Sequence, residues 1–125
     1  MNLEELRDCC LAIKGVEECT SLGEDLLSYK VMGKVFAFYL LNPKDGEHFV
    51  VLKCDPDRTV ELREKYRGIT KGVYTGATLM WNSVYIQRDV PDALIAGLIG
   101  HSAEEVVKKL SKKKQEEYRS LFCKS

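Results

Sequence analysis

The spacing of apolar side chains changes twice along this chain, and each change marks a different kind of element. From Leu3 to Lys14, apolar residues recur every three or four positions with acidic residues between them, which predicts an amphipathic helix. Asn2 is a suitable N-cap and Gly15 a suitable stop for this helix. The next stretch, Glu17 to Asp25, is polar and shows no period, so we expect an irregular connection there.

Three segments with strand character follow. Leu27 to Val31 alternates between apolar and polar positions, and His48 to Cys54 is a second run rich in β-branched and apolar residues. Between them, Val35 to Leu41 is apolar at both phases, which predicts a strand in the middle of a sheet with most of both faces covered. The connections Met32 to Lys34 and Asn42 to Gly46 carry turn residues and are short. Strands joined by such short turns must be antiparallel, because a parallel pair needs a long crossover.

A second helix is predicted directly after the third strand. Asp55 is a good N-cap, and Pro56 suits the first helical position. The pattern extends this helix to Tyr66, with Val60, Leu62 and Tyr66 as its apolar contacts. A further strand is predicted from Trp81 to Ile86.

The last part of the chain is helical in pattern, with one open question. A third helix begins near Pro91 and carries apolar residues at helical spacing, but Gly100 and the capping box that starts at Ser102 either restart the helix or kink it. From Ser111 the chain is rich in lysine. It retains Tyr118, Leu121 and Phe122 at helical spacing, so we expect a docked final helix or tail from about residue 111.

Composition limits the class of protein. The chain of 125 residues is 45% hydrophobic and 30% charged, with 19 basic and 19 acidic side chains, which is typical of one folded domain. Proteins built to bind nucleic acid normally carry an excess of positive charge, so the neutral balance lowers that expectation. No apolar run approaches the length of about 20 residues that spans a bilayer. We therefore expect no membrane partner.

Five cysteines occur without any C-x-x-C pair: Cys9, Cys10, Cys19, Cys54 and Cys123. Since the number is odd and no export signal is seen, we interpret them as free thiols in a reducing cytoplasm and expect a cytoplasmic protein.

Candidate chemistry for an enzyme is sparse. Cys54 precedes a helix N-terminus, where the dipole favours a thiolate, but a cysteine in an apolar strand is more often a small core residue. His48 is expected at the surface, and His101 beside a helix break is more often packed and hydrogen-bonded than a ligand. No phosphate loop, zinc or nucleophile motif is present. We expect no catalytic residue, no metal site and no cofactor.

One set of residues combines positive charge with aromatic rings. Lysines at strand ends and an arginine in the first turn of a helix would meet at one edge of the sheet, where cations hold phosphates and rings stack on bases. The candidates are Tyr29, Lys30, Lys34, Lys53, Arg58, Lys71, Tyr74, Trp81 and Asn82. The alternative interpretation makes Trp81 a core residue and Lys30 and Lys53 the polar phase of half-exposed strands.

An ordered series of short motifs resembles the MmcQ/YjbR family. The motifs are Gly15-Val16-Glu17-Glu18, Leu52-Lys53-Cys54-Asp55-Pro56, Glu61-Leu62-Arg63-Glu64-Lys65-Tyr66, Trp81-Asn82-Ser83-Val84, Pro91-Asp92 with Leu94-Ile95, and His101-Ser102. The resemblance implies an α+β fold like that of the frataxin homologue CyaY, in which an antiparallel sheet of about five strands has helices packed on one face. Family members are commonly described as DNA-binding, so it also implies DNA as a partner.

Together these features predict a non-enzymatic binding module, with DNA as the leading ligand. A monomer is favoured, but the sequence does not determine the oligomeric state. The alternative is a small-ligand or protein-interaction domain that uses the sheet edge around Trp81 as a pocket. The small, uncharged residues of the segment Gly72 to Met80 favour that alternative, because they leave room beside the indole.

Overall fold

The computed structural model describes residues 1–21, 25–72 and 79–121. Six strands and four helices lie within them. In chain order they are α1 (Leu3–Leu11), β1 (Val16–Ser21), β2 (Leu26–Val31), β3 (Lys34–Leu40), β4 (Phe49–Lys53), α2 (Pro56–Lys65), β5 (Ile69–Lys71), β6 (Trp81–Tyr85), α3 (Asp92–Lys108) and α4 (Lys112–Ser120).

The strands form a single sheet in the order β1-β2-β3-β4-β6-β5, and every neighbouring pair is antiparallel. The helices pack on one face of it, which we call the inner face. The buried apolar side chains of all four helices belong to one core cluster with Tyr39, Val50 and Val84 of the sheet. The predicted α+β class is confirmed, with six strands in place of about five.

The prediction of an irregular segment from Glu17 to Asp25 was wrong for its first part. Val16–Ser21 is an edge strand that pairs along its whole length with β2. Its polar composition hid it, although polar residues are common on edge strands because one side of the strand faces water. Glu18 lies within this strand and accepts hydrogen bonds from the Arg7 guanidinium and from the Tyr29 hydroxyl.

The predicted turn between β2 and β3 is a two-residue hairpin loop. Met32 and Gly33 both have positive φ, at 50° and 78°, which is the backbone geometry of a type I′ turn. Gly33 adopts this conformation without steric cost. The loop therefore fixes the pairing of Val31 with Lys34.

A bulge interrupts the same hairpin. Tyr29 pairs with Ala37, whereas the next residue, Lys30, pairs with Val35, so Phe36 is the extra residue on β3. Phe36 and Ala37 are both fully buried and both belong to the core cluster. The bulge thus changes which residues of β3 point to the inner face.

The helix ends follow the predicted caps. The Asn2 side chain accepts from the Glu5 amide in a capping box, and Asp55 caps α2 by accepting from the Asp57 amide. The first two helices are shorter than predicted, since α1 ends at Leu11 and α2 at Lys65.

One predicted apolar contact of α2 was wrong, because Val60 is 47% exposed while Thr59, one position earlier, is fully buried. The other two predicted contacts are confirmed, since Leu62 belongs to the core cluster and Tyr66 packs against it.

The question at Gly100 has a clear answer, because α3 runs unbroken from Asp92 to Lys108. The Ser102 hydroxyl does not cap a helix. It accepts a hydrogen bond from the Lys53 amide and donates one to the Phe36 carbonyl, and so fastens α3 to two strands.

The final helix, α4, is docked as predicted. Tyr118 is buried and donates a hydrogen bond of 2.8 Å to the carbonyl of Lys14. Leu121 was expected to pack but is 52% exposed, and Phe122 lies outside the described residues. Within those residues, every helix is too short or too polar to cross a bilayer.

Candidate functional site

Four of the predicted lysines lie at the same end of the sheet. β2, β4 and β5 finish at this end, while β3 and β6 begin there, because Val31 pairs with Lys34, Lys53 with Trp81, and Lys71 with Asn82. We call this the lysine end, and its members are Lys30, Lys34, Lys53 and Lys71. Lys34 and Lys71 follow the phase of the inner face, because Lys34 pairs with the core residue Val31 and Lys71 pairs with Asn82, which itself pairs with the core residue Leu52. Lys30 and Lys53 follow the phase of the opposite face. Four strand spacings of about 4.8 Å make the row about 19 Å long.

These lysines carry charge that no neighbouring carboxylate neutralises directly. Within the part of the chain that the structure describes, none of the four makes an ion pair. Glu17 stands opposite Lys30 across β1 and β2, so one acidic group does lie near one end of the row.

The side chain of Lys53 is less solvated than that of an ordinary surface lysine, and another positive charge lies near it. Burial, and then the positive charge of Lys109 at the end of α3, lower the pKa of Lys53, while Glu105 acts in the opposite direction. Lys109 therefore adds a fifth cation near the lysine end.

Trp81 starts β6 directly opposite Lys53, and its side chain lies on the face of the sheet away from the helices. This outer face also carries Phe38, Phe49, Val51 and Tyr85, as the strand register requires. None of these five belongs to the core cluster or packs against it. The four aromatic residues are half-buried, whereas Val51 at the centre of the face is fully buried.

The aromatic side chains form two pairs. The rings of Phe38 and Trp81 have centroids 6.5 Å apart, beside the lysine end, and those of Phe49 and Tyr85 are 5.3 Å apart at the other end of the face. The Arg88 guanidinium lies 3.9 Å from the centroid of the Tyr85 ring and also pairs with Glu47. The outer face thus presents an aromatic pair at each end, with Lys53 beside Trp81 and with the Arg88 guanidinium against one face of the Tyr85 ring.

Two predicted contact residues are not available to a ligand. Tyr29 is fully buried on the inner face, where its hydroxyl donates to Glu18 and lies 2.8 Å from the hydroxyl of Tyr39. Asn82 is 2% exposed and binds protein side chains on its own inner side. The register explains both, because Tyr29 pairs with Ala37 and Asn82 pairs with Leu52, and both of those partners are core residues.

Asn82 has a structural role instead. Its amide nitrogen donates to the Thr59 hydroxyl at 2.9 Å, and its carbonyl oxygen accepts from the Arg63 Nε at 2.8 Å. Arg63 also donates to the carbonyl of Trp81. These bonds attach α2 to the first two residues of β6.

The remaining predicted residues divide by position. Lys71 is exposed at the end of β5. Arg58 is half-buried in the first turn of α2, close enough for its charge to lower the pKa of Cys54, and so lies at the lysine end but on the inner side of the sheet. Tyr74 lies outside the described residues.

The candidate catalytic groups are held in the fold. Cys54 is 3% exposed, and burial raises the pKa of its thiol, although a hydrogen bond with Thr59 acts in the opposite direction. His101 is hydrogen-bonded, as predicted, because its Nε2 accepts from the Asp55 amide at 3.2 Å. In the described part of the chain, no three Cys, His, Asp or Glu side chains are grouped so that they could hold a metal ion.

A separate cavity lies between the end of α1, the middle of α3 and α4. Its volume is about 470 Å³, within the range of small-molecule sites. Its apolar wall includes Ile13, Ala103 and Val107, and Arg119 stands among its charged residues. No sequence pattern marked it, because its walls come from three helices that are far apart in the chain.

Comparison with known proteins agrees with this architecture. The YjbR family model matches residues 11–104. Uncharacterized protein YbdF of Escherichia coli O157:H7 is 30% identical over 116 residues, covering 93% of each chain.

Two crystal structures show a similar fold. Deinococcus radiodurans protein DR2400, a DUF419 domain, superposes with a TM-score of 0.83 at 26% identity over 94% of this chain and 88% of its own. A protein from Pseudomonas syringae superposes with a TM-score of 0.72 at 18% identity over 84% of this chain and 98% of its own. The motifs, the family match and the shared sheet lead to one conclusion: the chain belongs to the YjbR family.

Proposed function

We propose that this protein is a non-enzymatic module that binds DNA at the lysine end and the adjoining part of the outer face. The observation that carries the proposal is the pairing of Trp81 with Lys53 in the middle of a row of lysines that make no ion pairs within the described residues. A nucleic acid needs both kinds of group, since cations bind its phosphates and rings stack on its bases.

The neutral overall charge is compatible with this function because the charge is not evenly spread. The lysine end collects four cations, with Lys109 close to Lys53. Four phosphate contacts predict a plot of log affinity against log salt with a slope of about −3 to −4. Binding should therefore be clear at low salt and weak at physiological salt.

The test is fluorescence anisotropy with labelled DNA over a range of salt concentrations. A variant with Lys34, Lys53 and Lys71 replaced by glutamine should lose most of its affinity and reduce the salt slope by about 2 to 3. The matched control replaces Lys112, Lys113 and Lys114, which are exposed at the start of α4. Both variants lose three positive charges, so the comparison separates a local site from net charge.

Two results would contradict the proposal. One is the absence of binding at low salt by the unmodified protein. The other is an equal loss of affinity in both triple variants, because the lysine end would then have no special part in binding.

A second candidate function is the binding of a small molecule, and the cavity between α1, α3 and α4 favours it. The alternative based on the sequence placed a pocket beside Trp81. The cavity that the described residues leave beside Asn82, on the inner side, holds only about 10 Å³, which is about the space of one water molecule. The larger cavity, with apolar walls and Arg119 among its charged residues, suits an apolar molecule that carries an anionic group.

Two glycines of α3 provide the test of this candidate. A Cβ atom at Gly100 or at Gly97 would meet no atom within 4 Å, but only Gly100 lines the cavity. Gly100→Leu should therefore fill the cavity and reduce the fluorescence of bound anilinonaphthalene sulfonate, an apolar anionic probe. Gly97→Leu should leave that fluorescence unchanged. An equal response of both variants would remove the cavity as a binding site.

A further inference from the structure

We infer that the outer face binds single-stranded DNA, with unpaired bases stacked on its aromatic pairs, and that it discriminates against duplex DNA. This inference rests on the proposed function and names the form of nucleic acid that the site takes.

Aromatic rings are partly accessible at both ends of the outer face. Phe38 with Trp81 and Phe49 with Tyr85 are half-buried at the two ends of one face. Along β6 the four residue steps from Trp81 to Tyr85 span about 13 Å. A strand of unpaired nucleotides that lies along this line meets the Phe38–Trp81 pair at one end. At the other end it meets Phe49, since the Arg88 guanidinium lies against one face of the Tyr85 ring. Base-on-ring stacking is available to every base.

The breadth of the outer face favours unpaired bases over a duplex. Reading a duplex through its major groove requires a helix or a two-stranded ribbon that enters a groove about 12 Å wide. The described helices pack on the inner face, and the outer face belongs to a six-stranded sheet that is about 24 Å wide at 4.8 Å per strand interval. This face is too broad to enter the groove, so its rings reach only bases that are already unpaired.

Positive charge lies beside one of the two aromatic pairs. Lys53 stands directly opposite Trp81, and the lysine end adjoins the Phe38–Trp81 pair. Phosphates can therefore lie beside the bases that stack there.

Trp81 provides a direct assay because it is the one tryptophan of the sequence. Titration with short oligothymidylate should quench its emission, since a stacked base contacts the indole. A duplex of the same length should bind at least tenfold more weakly and leave the emission unchanged.

A pair of variants tests the stacking itself. Phe38→Leu should weaken oligothymidylate binding by about tenfold, within the range measured for loss of one stacked base. Tyr66→Leu is the matched control, because Tyr66 is also half-buried but packs against the core cluster. It should leave the affinity unchanged.

The outcomes separate this inference from the proposed function. Equal binding of single strand and duplex without quenching overturns the inference and leaves DNA binding at the lysine end in place. No binding of either form overturns both. Emission of Trp81 that changes with protein concentration alone, together with a dimer in sedimentation, overturns the inference by identifying the face as a contact between two copies of the chain.

Discussion

Asn82 offers the sharpest test of how the fold is held together, because it was expected in the binding site and instead links α2 to β6. Replacement by alanine removes a buried bond to Thr59 and a charge-assisted bond from Arg63. The first is worth about 1 kcal/mol and the second about 1.5 to 3 kcal/mol. Arg63 is half-buried and keeps its bond to the carbonyl of Trp81, so the low end of the range applies. We expect the free energy of unfolding to fall by about 2.5 kcal/mol.

Urea denaturation, followed by Trp81 emission and circular dichroism, measures this loss. A double-mutant cycle with Thr59→Ala isolates the bond between the two side chains, and its coupling energy should be about 1 kcal/mol. The folded Asn82→Ala variant should bind DNA within twofold of the unmodified protein. A loss of stability below about 1 kcal/mol would show that Asn82 does not have this structural role. A large loss of DNA affinity in the folded variant would show that Asn82 also takes part in binding.

Three further predictions concern pH, thiol reactivity and the hairpin turn. A hydrogen bond from Arg7 lowers the pKa of Glu18 in the fold, so this carboxylate contributes stability above its unfolded pKa of about 4.3 and loses it as the pH falls through the folded value. The difference in unfolding free energy between the unmodified protein and Glu18→Gln, measured in urea from pH 3 to 7, should therefore be largest near neutrality and shrink in acid. Mass spectrometry with a thiol reagent should show half-exposed Cys19 labelled well before Cys54, which is 3% exposed with a pKa raised by burial; equal rates would contradict the packing. Gly33→Ala should cost about 1 kcal/mol in urea denaturation because Gly33 has a φ of 78°, and an unchanged midpoint would refute the assigned turn.

Local signals in the sequence were enough to predict most of the elements. The caps at Asn2 and Asp55 and the turn at Gly33 depend on residues a few positions apart, so their chemistry can be recognised directly. The β1 strand was missed because an edge strand needs little apolar character. The sequence does not decide whether α3 continues through Gly100, because one glycine in a helix costs only about 1 kcal/mol. The hydrogen bonds of Ser102 to two strands depend on residues far apart in the chain, so they are not visible in the sequence either.

The candidate site was predicted less completely, and the reason is register. The strand ends correctly placed the lysines, since short turns bring alternate strand ends together. The direction of each side chain depends on phase, and a shift of one residue exchanges the two faces of a strand. The bulge at Phe36, which lies opposite Tyr29 and Lys30, changes that phase within β3. It was therefore not possible to predict from the sequence that Tyr29 points inward while Phe38 points outward.

Trp81 and Asn82 show how this sheet separates stability from recognition. They are neighbours in one strand. Asn82 is buried and forms hydrogen bonds with two side chains of α2, whereas Trp81 lies on the outer face and is not part of the core cluster. Aromatic side chains outside the core increase the exposed apolar area, which folded proteins otherwise keep small. Substitutions at inner positions such as Asn82 should therefore change the free energy of unfolding with little effect on DNA affinity. Substitutions at outer positions such as Phe38 should do the reverse, and this opposite behaviour within one sheet is what a dedicated binding face requires.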